Sequence, residues 1–169
     1  MRYLASSIVL TLFVVRAVGA EPRTPNTGSC FLLLDARTSN LKRLLDDICS
    51  TRLPPASTFK IPHAIAALDS GVIKNADEVV AYDGSLQEYE AWRRDHTLRS
   101  AMRYSVVWYF QEIAKRLTMN REAFYLRRLS YGNADPSSDL TTFWLGGSLR
   151  ISPSSRWRSC GICTTTSCQ

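Results

Sequence analysis

Pro55-Ala56-Ser57-Thr58-Phe59-Lys60-Ile61-Pro62 opens an apolar segment with a serine and a lysine three residues apart. On a helix this spacing puts both side chains on one face, so the Lys60 amine can reach the Ser57 hydroxyl. Serine becomes a useful nucleophile only when a base takes its proton, and a protonated lysine is no base. Apolar neighbours such as Phe59 and Ile61, together with the positive end of a helix dipole, both favour the neutral amine. The Ser57 backbone N–H, unpaired at a helix start, can also face a developing oxyanion. Taken alone, S-x-x-K is more often an N-cap followed by a solvated lysine, so its surroundings must decide.

Those surroundings predict a mixed α/β (α+β) fold. Residues 29–35 form an apolar run that reads as a strand, 36–40 are turn material, and 41–45 return as a second strand. Pro54-Pro55 bars helix until Ser57. A helix then runs over 57–70, with Ile61, Ala64, Ile65 and Leu68 as its expected apolar face and Gly71 as its stop. A short strand is expected at Val79-Val80. Thr97 reads as the N-cap of a helix to 104, and further helices are expected over 106–117 and 120–129. Residues 131–136 form a loop. The pattern is a strand pair and one helix followed by an inserted helical lobe.

Length and charge narrow the class. A chain of 169 residues is one domain. Residues 1–20 have the form of a secretory signal: Arg2, an apolar run from Leu4 to Val15, and small residues before Glu21. That run is too short to serve as a stable membrane anchor. The net charge of +6 is spread among acids, as in Arg93-Arg94-Asp95, with no basic stripe, which argues against nucleic-acid binding. Of five cysteines, Cys30 and Cys49 are placed to pair across the hairpin in an oxidising compartment. His63 and His96 are the only histidines, and neither has metal-ligand spacing. No metal is expected.

Three more motifs follow Ser57 in order. Tyr104-Ser105-Val106-Val107 places a hydroxyl between two helices, where it can cap or can line a cleft. Tyr131-Gly132-Asn133 is a turn with a phenol and an amide. Phe143-Trp144-Leu145 precedes Gly147-Ser148-Leu149-Arg150-Ile151-Ser152-Pro153. Together with Pro55 to Ile65, these motifs resemble the class D (oxacillinase-type) serine β-lactamases, from about Ser29 to Pro153. The second motif separates this pattern from the S-D-N and K-T-G set of class A enzymes.

The resemblance implies a DD-peptidase/β-lactamase-like fold and an exported, periplasmic enzyme whose small-molecule substrate is a β-lactam. It implies Ser57 as the nucleophile, Lys60 carboxylated by carbon dioxide as general base, and Ser105 as proton relay. Trp144 would donate its indole N–H to the carbamate, Val107 would form part of its apolar wall, and Tyr131, Gly132 and Asn133 would support the site. No cofactor beyond the carbamate is expected.

Three departures stand out. Trp108 occupies a position where the family usually has proline, and Leu145-Gly146 replaces leucine-glutamate. After Pro153 the family continues with strands carrying K-T-G or K-S-G, whereas residues 154–169 are rich in serine, threonine and cysteine and contain no lysine. The sequence therefore leads us to expect missing C-terminal strands, a disordered tail over 154–169, and a truncated or frame-shifted gene. Reading the other frames for a K-T-G-like segment tests the last point. A penicillin-binding sensor that acylates without turnover, or an inactive remnant, are the competing readings.

Overall fold

The proline-rich approach to Ser57 is ordered by a segment ninety residues downstream. The computed structural model describes residues 28–155 apart from 36, 39 and 47, so the expected signal segment and residues 156–169 lie outside the described residues. Leu53 and Ile151 exchange both backbone hydrogen bonds in an antiparallel bridge, at 3.0 and 2.9 Å. Three residues on, the Ala56 N–H donates to the Trp144 carbonyl at 2.9 Å. The chain thereby enters a single 3-10 turn at Ala56–Phe59 and continues as helix α1, Lys60–Asp69. Gly71, at φ +74°, ends it in the left-handed conformation that glycine adopts without a Cβ penalty.

Upstream, strands β1 (Cys30–Asp35) and β2 (Asn40–Asp46) form the expected antiparallel hairpin, with Leu34 opposite Leu41. The Asp35 carboxylate accepts the Arg37 and Thr38 N–H groups in its turn. A Cys30–Cys49 disulfide ties the hairpin to the approach segment, the pairing the sequence allowed. In β1, Leu32 and Leu34 are half-buried, while Phe31 and Leu33 are exposed, at 49% and 53%. The tail expectation also needs correction at its start. The Ser154 N–H and hydroxyl both donate to the Cys49 carbonyl, at 3.0 and 2.6 Å, so Ser154 and Ser155 belong to the ordered body.

Strands β3 (Val79–Val80) and β4 (His96–Thr97) pair antiparallel and lead into helix α2, Leu98–Arg103. Thr97 caps α2 reciprocally: its hydroxyl accepts the Ser100 N–H while Ser100 Oγ accepts the Thr97 N–H. Helix α3, Val107–Arg128, carries a break at Thr118 (φ 68°, ψ 159°). The two separate helical patterns read from the sequence are thus two segments meeting at that residue.

The buried face of α1 differs from the one hydropathy suggests. Ile61, Ile65 and Leu68 are 51%, 37% and 41% exposed, while Lys60, Pro62, His63, Ala66 and Ala67 are buried. The reason is what α1 packs against. Phe59 lies 5.0–5.7 Å from the rings of His63, Tyr131, Phe143 and Trp144, and the small Ala66 and Ala67 allow close approach to α3. His63 completes that contact, with Nε2 2.7 Å from Glu122 Oε1 and both side chains no more than 1% exposed.

Removing one member of such a pair strands a buried polar group, whereas replacing both with apolar residues does not. Glu122→Leu should therefore lower stability by about 3–5 kcal/mol. The double variant with His63→Leu should recover most of that loss. Urea unfolding checks this, and equal losses in the single and double variants would contradict the pairing.

Candidate active site

Three polar side chains from two distant parts of the chain meet beside the start of α1. Lys60 Nζ donates to Ser57 Oγ at 2.9 Å and to Ser105 Oγ at 3.0 Å. The Ser105 hydroxyl in turn donates to Ser57 Oγ at 3.2 Å. Ser57 and Lys60 are brought together by helical spacing, as the motif predicts. Ser105 arrives through packing of the α2–α3 junction against α1.

The electrostatics follow from burial. Lys60 is 2% exposed, and no carboxylate among the described residues pairs with it. Burial alone pushes its amine below the ordinary value of 10.5, because the charged form loses hydration without gaining a counter-ion. Phe110 adds an aromatic ring 5.7 Å from Nζ. The sequence reading credited the helix dipole as well; desolvation is the cause the structure supports.

Two of the five non-glycine residues with positive φ among the described residues lie at the site. Ala56, which precedes Ser57, and Ser105 of the cluster itself adopt positive φ of 48° and 54°. Neither is glycine, so each costs roughly 1–2 kcal/mol that the surrounding contacts must offset. For Ser105 the holding contacts include its N–H to the Met102 carbonyl at 3.3 Å and the Val106 N–H to the Ala101 carbonyl at 2.9 Å.

Trp144 is fully buried, and its indole Nε1 has no hydrogen-bond partner among the described residues. A buried N–H without an acceptor is costly, and this one leaves room for an acceptor at that point. Its ring packs 5.7 Å from Phe59 and 5.3 Å from His63, both of which flank Lys60 in sequence or across one turn.

The Tyr131-Gly132-Asn133 loop does its work at the rear. Tyr131 is 3% exposed, with its ring 5.6 Å from that of Phe59. Gly132 has φ +59°, and a Cβ there would collide with the Arg150 carbonyl. The Asn133 N–H and the Arg150 N–H reach across to the Arg150 carbonyl and Asn133 Oδ1 at 2.9 and 2.8 Å, and Asn133 Nδ2 donates to the Ser148 carbonyl. This loop holds the 148–151 segment, which in turn holds Leu53 and the approach to Ser57.

In front of the hydroxyl cluster lies an open cleft of about 470 Å³, lined by Ser57, Ser105, Val107, Glu88, Tyr89, Ala91, Trp92 and Tyr104. Val107 stands in its wall, as the sequence reading placed it near the site. The aromatic residues Tyr89, Trp92 and Tyr104 were missed as site residues. Of the three, Tyr104 carried a sequence signal, since it directly precedes Ser105 in the second motif. Among the described residues no cluster of histidine, cysteine or carboxylate side chains could hold a metal ion, and no helix is long and apolar enough to cross a membrane.

The hydroxyl–amine cluster and the cleft before it form the candidate active site. Residues 16–156 match the penicillin-binding protein transpeptidase domain, and the chain belongs to that family. Its relatives include β-lactamase OXA-48 of Klebsiella pneumoniae, 44% identical over 115 residues, covering 68% of this chain and 42% of that protein. β-Lactamase OXA-20 of Pseudomonas aeruginosa is 39% identical over 129 residues, covering 75% of this chain and 48% of that protein. The solved structure of the class D β-lactamase BAT-2 superposes with a TM-score of 0.71 at 40% identity, covering 73% of this chain and 52% of that one. The chain spans about half the length of the relatives it matches.

The depressed Lys60 value has a consequence for stability. In the unfolded chain Lys60 titrates near 10.5. The folded state sheds its proton at lower pH, so between the folded and unfolded values the unfolded state binds more protons and stability rises with pH. Below the folded value the burial penalty is felt in full. Lys60→Met should remove this rise. Comparing urea midpoints of the two proteins across the alkaline range in carbon dioxide-free buffer checks it, and parallel curves would contradict the assignment.

Proposed function

We propose that this chain carries the acylation machinery of a class D β-lactamase and reacts with β-lactam antibiotics through Ser57. The observation that carries the proposal is the buried, unpaired Lys60 amine within hydrogen-bond reach of two hydroxyls. A neutral amine there takes the Ser57 proton as Oγ attacks the lactam carbonyl. The carbonyl oxygen becomes an oxyanion facing the Ser57 backbone N–H, since the Ala56 and Thr58 N–H groups are engaged by the Trp144 and Pro55 carbonyls. Collapse breaks the ring C–N bond and leaves an acyl ester on Ser57. The departing nitrogen needs a proton, and Ser105, which touches both Lys60 and Ser57, is placed to deliver it while taking one from Lys60.

Carbon dioxide adding to the neutral Lys60 amine, with loss of a proton, would supply an anionic, carboxylate-type base. Trp144 fits that group because its buried N–H lacks an acceptor, and Val107 and Phe110 supply apolar surroundings. Export to the periplasm fits the form of residues 1–20 and the Cys30–Cys49 disulfide, since such bonds persist in oxidising compartments.

The test uses the purified chain with a fluorescent penicillin and a chromogenic cephalosporin. Colour development marks turnover, and a stable one-to-one label marks acylation without turnover, the sensor-like alternative. Ser57→Ala should reduce either signal by on the order of 10⁴ or more. Absence of both signals from the unaltered, folded chain would contradict the proposal.

A further inference from the structure

Trp108, the residue that departs from the family pattern directly after Ser105-Val106-Val107, makes a hydrogen bond that no proline could make. Its Nε1 donates to the Trp92 carbonyl at 2.8 Å. Trp92 then donates its own Nε1 to the Tyr104 carbonyl at 2.9 Å. Tyr104 is the residue immediately before Ser105, and Trp108 lies three residues after it. The two indole hydrogen bonds therefore bracket Ser105, fastening both ends of its strained turn to one loop. A third contact fixes the same loop. His96 Nε2 is 3.0 Å from the Ala91 carbonyl, which can only accept, so that nitrogen carries the proton.

The Trp108 ring is seated firmly enough to act as an anchor. It lies 5.5 Å from the ring of Tyr82, 5.8 Å from that of buried His96 and 6.1 Å from that of buried Tyr109. The loop it holds supplies Ala91 and Trp92 to the cleft wall facing Ser57, and Trp92 stacks against Tyr89 at 4.9 Å. What Trp108 fixes is thus both the backbone entering Ser105 and the aromatic surface on which a substrate substituent would rest.

We propose that Trp108 is a positioning and specificity-determining residue, whose indole N–H sets the Trp92 wall and the Ser105 turn. It acts only through Trp92. The selectivity part rests on the β-lactam reading above, while the bracket itself does not. Without the Trp108 donor, the Trp92 carbonyl is released, Trp92 loses its fixed register, and its bond to Tyr104 loosens. β-Lactams with a bulky aromatic side chain gain most from an ordered wall, so they should suffer most.

Two variants at this position separate hydrogen bonding from packing. Trp108→Phe keeps a ring and removes the donor; a 3-benzothienylalanine replacement keeps the full bicycle and replaces the N–H with sulfur. In both, hydrogen exchange of the Trp92 indole N–H, read by NMR, should quicken roughly three- to tenfold, the range a single net hydrogen bond supports. Amide exchange in α1 should stay unchanged. The ratio of acylation rates for a penicillin bearing an aromatic side chain over the side-chain-free penicillin nucleus should fall by a similar factor, roughly three- to tenfold. Unchanged Trp92 exchange overturns the bracket, and an unchanged rate ratio with quickened exchange overturns the selectivity role. If the unaltered chain accepts no penicillin, the β-lactam reading and the selectivity role fall with it, and the exchange measurement still decides the bracket.

Discussion

A lysine amine held out of water without a counter-ion is the constraint around which this molecule is organised. Among the described residues the hydrogen-bond partners of Lys60 are two hydroxyls, Ser57 from the same helical turn and Ser105 brought in by tertiary packing. Ser57 needs the 3-10 turn that the Trp144 carbonyl and the Leu53–Ile151 bridge impose. Ser105 needs a left-handed turn between α2 and α3. Burying the amine costs free energy, and the aromatic cluster around Phe59 offsets that cost by enclosing the other side of α1. Fold and chemistry are linked because the same burial that penalises the charged amine favours its neutral form.

The arrangement also explains why so much of the structure lies behind the site. The loop at Tyr131-Gly132-Asn133 pins the 148–151 segment, which pins the approach to Ser57. The His63–Glu122 pair joins α1 to the far segment of α3. In front, the Trp108–Trp92–Tyr104 bonds fasten the loop that walls the cleft. Each support acts on one of the three hydroxyl-cluster residues through its backbone, so their side chains need few direct contacts to be held in place.

Part of this was legible in the sequence, for physical reasons. Helical spacing alone joins Ser57 to Lys60, Thr97 reads as an N-cap, and Gly71 marks the end of α1. The hairpin and the Cys30–Cys49 pairing follow from apolar runs and separation. Ser105 and Trp144 could be linked to Ser57 only by likeness to a family pattern, since nothing local places them together. The buried face of α1 was misread because hydropathy ranks Ile61, Ile65 and Leu68 above His63 and the alanines. Packing favoured the smaller residues and a histidine that finds a carboxylate fifty-nine positions away. The aromatic cleft wall escaped notice because single tryptophans and tyrosines read as ordinary core until the loop carrying them is placed.

The central claim is that burial holds the Lys60 amine below its ordinary titration range and so favours its neutral form. Isotope labelling of the lysine side chains, with Lys60→Met to assign the signal, allows an NMR titration of its ζ-nitrogen in carbon dioxide-free buffer. The account predicts a midpoint clearly below the ordinary 10.5. A midpoint at or above that value would show a cation in place of a base, and would contradict it.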